Sequence, residues 1–184
     1  MNANELFQEA QHLLLEGRDK ESIEFFTKAA NSGYETYMVM LSRGVAYLKV
    51  KDADKAVSDF NGAIAANGKS ARAYYYRGNA NLLKEQYELA EKDFTKAMEL
   101  KSGYAQALFA RATAYAGHGK YNEAAQDLRK VLPEMGASVQ SFVDNIGIVR
   151  TQMWKVMSQL SGEGRAPVVA LTEEEIKVLK KWLG

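Results

Sequence analysis

Apolar residues recur along most of this chain at the three- and four-residue spacing of one face of an α-helix. No stretch of strict alternation between apolar and polar residues competes with this pattern. Prolines occur only at Pro133 and Pro167, so little interrupts a helix before residue 132. The pattern predicts an all-α fold.

One segment of the chain occurs four times at one constant spacing. A large apolar residue keeps this step at Phe26, Phe60, Phe94 and Leu128. Small residues keep it at Ala10, Gly44, Gly78 and Ala112 and again at Ser22, Ala56, Ala90 and Ala124. An unbroken period of this kind predicts stacked helical hairpins, in which small residues let two helices approach closely.

The repeat resembles the tetratricopeptide repeat, which has the same period and the pattern W-x2-L-G-x2-Y, then A-x3-F, then a closing proline. The third unit shows the match through Tyr74, Arg77, Gly78, Ala90 and Phe94. The resemblance implies a right-handed α-solenoid over residues 3–138, in units of about 3–36, 37–70, 71–104 and 105–138. The proline is missing from every unit. A glycine stands near each turn instead, where we expect a left-handed backbone: Gly33, Gly68, Gly103 and Gly136.

Three further segments follow the four units. Apolar residues at helical spacing in residues 139–160 predict a long capping helix, with a binding surface there as the alternative. Two glycines and a proline indicate a flexible linker over 161–170. Thr172 and Glu175 then form a capping-box signature that begins a C-terminal helix over 171–183. This helix is too short to be stable alone, so we expect it to dock on its own array, a second copy or another protein.

A charged pattern repeats within the array. Arginines occupy one position of a unit and aspartates a later position of the same unit: Arg43, Arg77, Arg111, Asp59, Asp93 and Asp127. In an antiparallel hairpin these positions lie at the same level, which predicts an Arg–Asp pair within each hairpin or with the adjacent one. The first unit has Glu9 and Phe25 there and lacks both partners. A basic ladder for an acidic ligand remains the alternative.

In tetratricopeptide proteins the first helix of each unit lines a concave groove that binds peptides. The resemblance therefore implies a set of groove candidates on the first helices: Phe7, Gln11, Leu14, Met38, Leu41, Val45, Leu48, Arg72, Tyr75, Asn79, Leu82, Gln106, Phe109 and Thr113. The set is largely apolar, and an exposed apolar concavity usually marks an interaction site. We therefore expect an apolar or helical segment of a partner protein as the ligand.

Some family members hold the C-terminus of heat-shock chaperones in a clamp of lysine, asparagine and arginine side chains. Here the clamp positions are occupied by Phe7, Gln11, Ser42, Arg72 and Tyr76. Only Arg72 suits the role, so a chaperone-tail adaptor is disfavoured.

Composition and charge exclude several other functions. Lys and Arg number 24 against 23 Asp and Glu, and this near-balance disfavours nucleic acid and anionic membranes as partners. Cysteine is absent, and His12 and His118 stand in no metal-ligand motif, so we expect no metal and no cofactor. Neither a phosphate-binding loop nor a catalytic constellation is present, and no signal peptide or membrane span is visible. We expect a cytoplasmic protein that is not an enzyme.

These observations favour a non-enzymatic protein-interaction scaffold, with possible self-association through residues 171–183. One alternative is a small cytoplasmic chaperone that sequesters an apolar client segment. Another is the binding arm of a larger enzyme or regulatory protein.

Overall fold

The structure, a computed structural model, describes residues 1–135, 148–149, 152–153 and 172–183. Over these ranges it contains helices and no strand, which confirms the predicted all-α fold. Among the elements bounded within these ranges, eight helices form the array, and one more lies near the C-terminus. They are α1 (Ala3–Leu15), α2 (Asp19–Asn31), α3 (Thr36–Lys49), α4 (Ala53–Ala66), α5 (Ala71–Leu83), α6 (Tyr87–Leu100), α7 (Ala105–Gly117), α8 (Tyr121–Met135) and α9 (Glu173–Leu183).

Side-chain caps begin several of these helices. Asn2 and Glu5 form a capping box, in which each side chain accepts a hydrogen bond from the other residue's backbone N–H, at 3.0 and 2.9 Å. Ser70 caps α5 by accepting the N–H of Ala73 at 3.1 Å. The Thr172–Glu175 box at the start of α9 has both of its hydrogen bonds, at 2.7 and 3.3 Å.

Consecutive helices pack as hairpins, and the hairpins stack in chain order. Helices α1 and α2, α3 and α4, α5 and α6, and α7 and α8 form the four hairpins, and each also contacts the next. In addition α1 contacts α3, α3 contacts α5 and α5 contacts α7, so the first helices of the hairpins form one inner layer. In the part of the chain that the structure describes, no helix is both long and apolar enough to cross a membrane.

The inside of each hairpin is filled by one large side chain against one small residue. Phe26, Phe60 and Phe94 are fully buried. The ring of Phe60 lies so close to Gly44 that a Cβ there would come within 2.6 Å of it, and Gly78 and Phe94 repeat this contact. The periodic alternation of small and large residues therefore corresponds to a close helix–helix approach inside each hairpin.

The turn inside each hairpin uses a left-handed residue at a fixed repeat position. Gly17, Lys51, Glu85 and Gly119 occupy this position in successive units and have φ of +78°, +62°, +59° and +84°. Only two of the four are glycine, although a side chain raises the energy of this conformation.

The turns between hairpins are less regular than the repeated glycine position predicts. Gly33 and Gly103 adopt positive φ, but Gly68 does not, so the expected left-handed turn is wrong at that position. There Ser70 supplies the next helix cap, and the Asn67 side chain accepts the N–H of Lys69 at 3.1 Å. Gly136 lies outside the described residues.

Helix α9 docks on α8 of its own chain. Leu179 is fully buried, Ile176 packs against the main apolar cluster, and Arg129 Nε donates to Glu175 Oε1 at 3.0 Å. The predicted linker 161–170 lies outside the described residues. So does most of the predicted capping helix 139–160, of which Ile148, Val149, Gln152 and Met153 are described.

We expect Lys51→Gly and Glu85→Gly each to raise the free energy of unfolding by about 0.5–1 kcal/mol, since glycine removes the cost of a left-handed side chain. The matched variants Gly17→Ala and Gly119→Ala should lower it by about 1 kcal/mol. A Cβ at Gly17 or Gly119 meets no atom within 4 Å, so only the backbone conformation is tested. Urea unfolding measures all four, and destabilisation by Lys51→Gly would contradict this explanation.

We expect Leu179→Ala to lower the free energy of unfolding by about 2–3 kcal/mol and to increase binding of an apolar-surface dye, because it removes a fully buried side chain. The neighbouring Val178→Ala is the control, because Val178 is 42% exposed and should change stability by less than about 0.5 kcal/mol. Equal effects of the two variants would mean that α9 does not dock through its Leu179 face.

Candidate protein-interaction groove

The candidate groove residues lie on the inner-layer helices α1, α3, α5 and α7, but they differ in exposure. Six are exposed or half-buried: Gln11, Leu14, Met38, Val45, Arg72 and Gln106. The others are buried: Phe7, Leu41, Leu48, Tyr75, Asn79, Leu82, Phe109 and Thr113. The family register predicts an accessible surface for the whole set, and this expectation is wrong for the buried members.

Tyrosines from the turns between hairpins account for two of the buried residues. Tyr34 stacks on Phe7 with ring centroids 4.2 Å apart, and Tyr104 lies 5.1 Å from Tyr75. Both covering rings were missed from the sequence, although each follows a turn glycine directly, at Gly33 and Gly103. Burial raises the pKa of Tyr104 to about 12, so its hydroxyl stays protonated at neutral pH.

At one repeat position of the inner layer exposure falls along the array, because Gln11 is exposed, Val45 is half-buried, and Asn79 and Thr113 are fully buried. Gln11, Leu14, Met38 and Val45 retain access to solvent, and we call these four the open half of the groove. Asn79, Leu82, Phe109 and Thr113, which we call the closed half, are at most 2% exposed. Arg72 and Gln106 keep some exposure near the first turns of α5 and α7. The apolar candidates that stay accessible therefore all lie on α1 and α3.

Asn79 is the polar side chain of the closed half with the fewest hydrogen bonds. It is completely buried, and within the described residues neither its Oδ1 nor its Nδ2 has a hydrogen-bond partner. Thr113 is also buried, but its Oγ1 donates to the carbonyl oxygen of Phe109 at 3.1 Å. A buried amide without partners costs roughly 1–3 kcal/mol, so Asn79 is an unusual residue to find there.

The predicted Arg–Asp pairs lie inside the hairpins, between the two helices of each. Arg43 donates from Nε and Nη2 to the two carboxylate oxygens of Asp59 at 2.8 and 2.7 Å. Its Nη1 donates to Thr27 of the preceding hairpin at 3.0 Å. The other two arginines repeat the arrangement, Arg77 with Asp93 and Asn61, and Arg111 with Asp127 and Thr95.

Each of these arginines therefore links the two helices of its own hairpin and connects that hairpin to the preceding hairpin. All three of its guanidinium nitrogens already donate within the protein, which leaves no support for a basic ladder that reads an acidic ligand. Burial raises the pKa of the Asp93 carboxyl, while the adjacent Arg77 guanidinium opposes that rise. Because desolvation offsets much of the attraction, the pairs set geometry more than they add net stability.

The described residues hold no group of three or more histidine or acidic side chains that could bind a metal ion. His118 Nε2 lies 3.2 Å from Glu91 Oε2, which also accepts a hydrogen bond from Lys120 at 2.9 Å. His12 is exposed beside Glu16. The contacts of Glu91 link the turn between α7 and α8 to α6, and the His12–Glu16 contact lies within the C-terminal end of α1.

We expect Asp93→Ala to lower the free energy of unfolding by about 2–3 kcal/mol, because it leaves Arg77 and Asn81 without their shared acceptor. The control is Glu99→Ala, which removes the exposed Lys96–Glu99 pair and should cost less than about 0.5 kcal/mol. Urea unfolding of the two variants measures the difference. Equal losses would show that the buried pair does not maintain the hairpin.

A family model described as tetratricopeptide repeat matches residues 71–104, the segment that contains α5 and α6. In Arabidopsis thaliana, a protein named TPR repeat-containing thioredoxin TDX is 34% identical to this chain over 79 residues. That match covers 43% of this chain and only 21% of the thioredoxin.

Solved structures of repeat proteins share the fold. MamA from Desulfovibrio magneticus RS-1 superposes with a TM-score of 0.69 at 23% identity, covering 74% of this chain and 77% of that one. The second TPR domain of human RPAP3, solved in complex with the HSP70 peptide SGPTIEEVD, superposes with a TM-score of 0.52 at 30% identity. It covers 66% of this chain and 94% of that domain. The MamA likeness shows the fold alone.

Proposed function

We propose that this chain, which belongs to the tetratricopeptide-repeat family, is a protein-interaction scaffold that binds an apolar segment of a partner protein in its concave groove. Tetratricopeptide repeats are generally non-enzymatic interaction modules. The observation that carries the proposal is the open half, where apolar side chains on the inner helices α1 and α3 remain partly accessible. Accessible apolar surface in a concavity favours a protein ligand.

The chemistry of the open half indicates what the ligand presents. Leu14, Met38 and Val45 offer apolar contact, and Gln11 offers an amide at the edge. The nearby cation of Lys49 is already engaged, because its Nζ pairs with an Asp19 carboxylate oxygen at 2.7 Å and donates to the carbonyl oxygen of Leu14 at 3.0 Å. An amphipathic helix with apolar residues at three- and four-residue spacing matches such a surface better than an acidic strand does.

The RPAP3 domain raises a different possibility, because it was solved with an acidic chaperone-tail peptide. The clamp positions of this chain argue against that ligand. Phe7 is buried beneath Tyr34, Ser42 and Tyr76 are half-buried, and only Arg72 presents an exposed cation. One arginine leaves most of the charge of an acidic tail uncompensated, so we propose that such tails are not the ligand.

A display library of random peptides tests the proposal. The peptides are about 16 residues long, enough for four helical turns, and the affinity of the enriched peptide is then measured with a synthetic copy. We expect Leu14→Glu and Val45→Glu each to weaken binding at least about tenfold, because a charge would be desolvated against an apolar ligand. The control is Leu89→Glu, an exposed leucine on α6 of the outer layer, which should leave affinity unchanged. Loss of binding only in the control variant would place the site outside the groove.

The peptide SGPTIEEVD is the matching probe for the clamp alternative. We expect no measurable binding to the wild-type chain and no effect of Arg72→Ala on the selected peptide's affinity beyond about twofold. Tight binding of SGPTIEEVD that Arg72→Ala abolishes would replace the apolar ligand with an acidic tail.

A further inference from the structure

Asn79 in the closed half of the groove is covered although its side chain points away from the hairpin interior. Asn81 donates to Asp93 on α6 at 2.9 Å, so this side of α5 faces its hairpin partner. Asn79 precedes Asn81 by two positions, which rotates its side chain by about 200° around the helix, toward the concave side. It is nevertheless 0% exposed. Some part of the molecule therefore covers the concave side of α5.

The turn tyrosines do not explain this cover. Tyr104 lies on Tyr75, one turn before Asn79, and Tyr34 lies on Phe7 in the first hairpin. Thr113 is also fully buried, farther along α7 than the turns that carry those tyrosines, whereas Val45 and Gln11 at the same repeat position keep some exposure. The two turn tyrosines therefore do not account for the burial of Asn79 and Thr113.

Four described residues beyond α8 have the properties of this cover. Ile148, Val149, Gln152 and Met153 are helical and buried, and their spacing places them on one helix face. The three apolar members belong to the same continuous apolar cluster as Leu82 and Phe109. They follow α8 in the chain, and α8 packs directly on α7.

We infer that the face formed by Ile148, Val149 and Met153 occupies the closed half of the groove in cis, in the place of a partner segment. This inference rests on the proposed function and extends it. The partner first contacts the open half and gains the closed half only by displacing this face. The groove is then a surface whose affinity is lowered by its own chain, in proportion to how strongly the internal segment is held.

Asn79 indicates what the partner supplies that the internal segment lacks. The internal face leaves both amide atoms of Asn79 without a hydrogen bond within the described residues, and Oε1 of its own Gln152 is likewise buried without a partner there. Unsatisfied buried amides weaken the internal complex. A partner helix with a hydrogen-bonding side chain opposite Asn79 would satisfy the amide, so Asn79 discriminates between this ligand and a purely apolar one.

The variant Met153→Asp tests the occupancy in the full chain, because it places a charge in the internal face and leaves the groove intact. We expect increased fluorescence of an apolar-surface dye and about tenfold tighter binding of the peptide selected on the wild type. Val178→Asp is the control for the added charge, since Val178 is exposed on α9, and it should change neither quantity. Unchanged dye binding and affinity in a folded Met153→Asp protein would overturn the inference.

A second variant gives the opposite prediction and keeps the test valid if Met153→Asp does not fold. Asn79→Leu replaces the unsatisfied amide by an apolar group of similar volume, which should strengthen the internal complex. We expect a higher melting temperature together with about tenfold weaker peptide binding. A purely structural role of Asn79 would change the melting temperature without changing affinity, and that result would overturn its assignment.

Two further outcomes separate this inference from the proposed function. If the library yields no peptide for the wild type or for Met153→Asp, the proposed function fails, while the dye measurement still reports whether the groove was covered. Sedimentation of the wild type should show a monomer. A dimer that Met153→Asp dissociates would assign the cover to a second copy and overturn the cis arrangement.

Discussion

The fold depends on the close approach of two helices around one buried side chain in each hairpin. A glycine at position 44 or 78 lets the ring of Phe60 or Phe94 lie where a Cβ would otherwise stand. This contact sets the distance between the two helices and therefore the surface that each hairpin offers to the next. Because packing in protein interiors is dense, the same small and large residues must recur in every unit, which is why the period is visible in the sequence.

The arginines of the Arg–Asp pairs also connect each hairpin to the preceding one. Each arginine joins an aspartate of its own hairpin to a polar residue of the preceding one, at Thr27, Asn61 and Thr95. In the last unit the same repeat position holds Arg129, and it pairs with Glu175 on α9. At this position Arg129 is a hydrogen-bond donor, whereas Thr27, Asn61 and Thr95 are acceptors, and the group that it contacts is a carboxylate instead of a guanidinium. The helix that packs on the last hairpin therefore presents a negative charge where the earlier units present a positive one.

The exposure of the groove residues is a property that the family resemblance does not predict. The repeat register identifies the inner-layer residues, because the first helices of the hairpins do form one layer. Register cannot report what covers them, since exposure depends on atoms distant in sequence. Phe7 and Tyr75 lose their exposure to turn tyrosines, and Asn79 is buried by a part of the molecule that those tyrosines do not supply. Several residues that the repeat pattern assigns to the groove surface are therefore part of the core.

By itself the sequence determined the helical fold, the repeating hairpin and the pairing of three repeated arginines with aspartates, because these depend on short-range spacing that recurs from unit to unit. The tertiary structure alone decided how the array ends and which part of its concave face stays open. Arg129 and Glu175 are far apart in the chain, and so are Leu82 and Met153, which belong to one apolar cluster. Such contacts occur once in the chain and follow no period, so the sequence pattern does not predict them. Their stability comes from apolar burial that only the folded chain brings together.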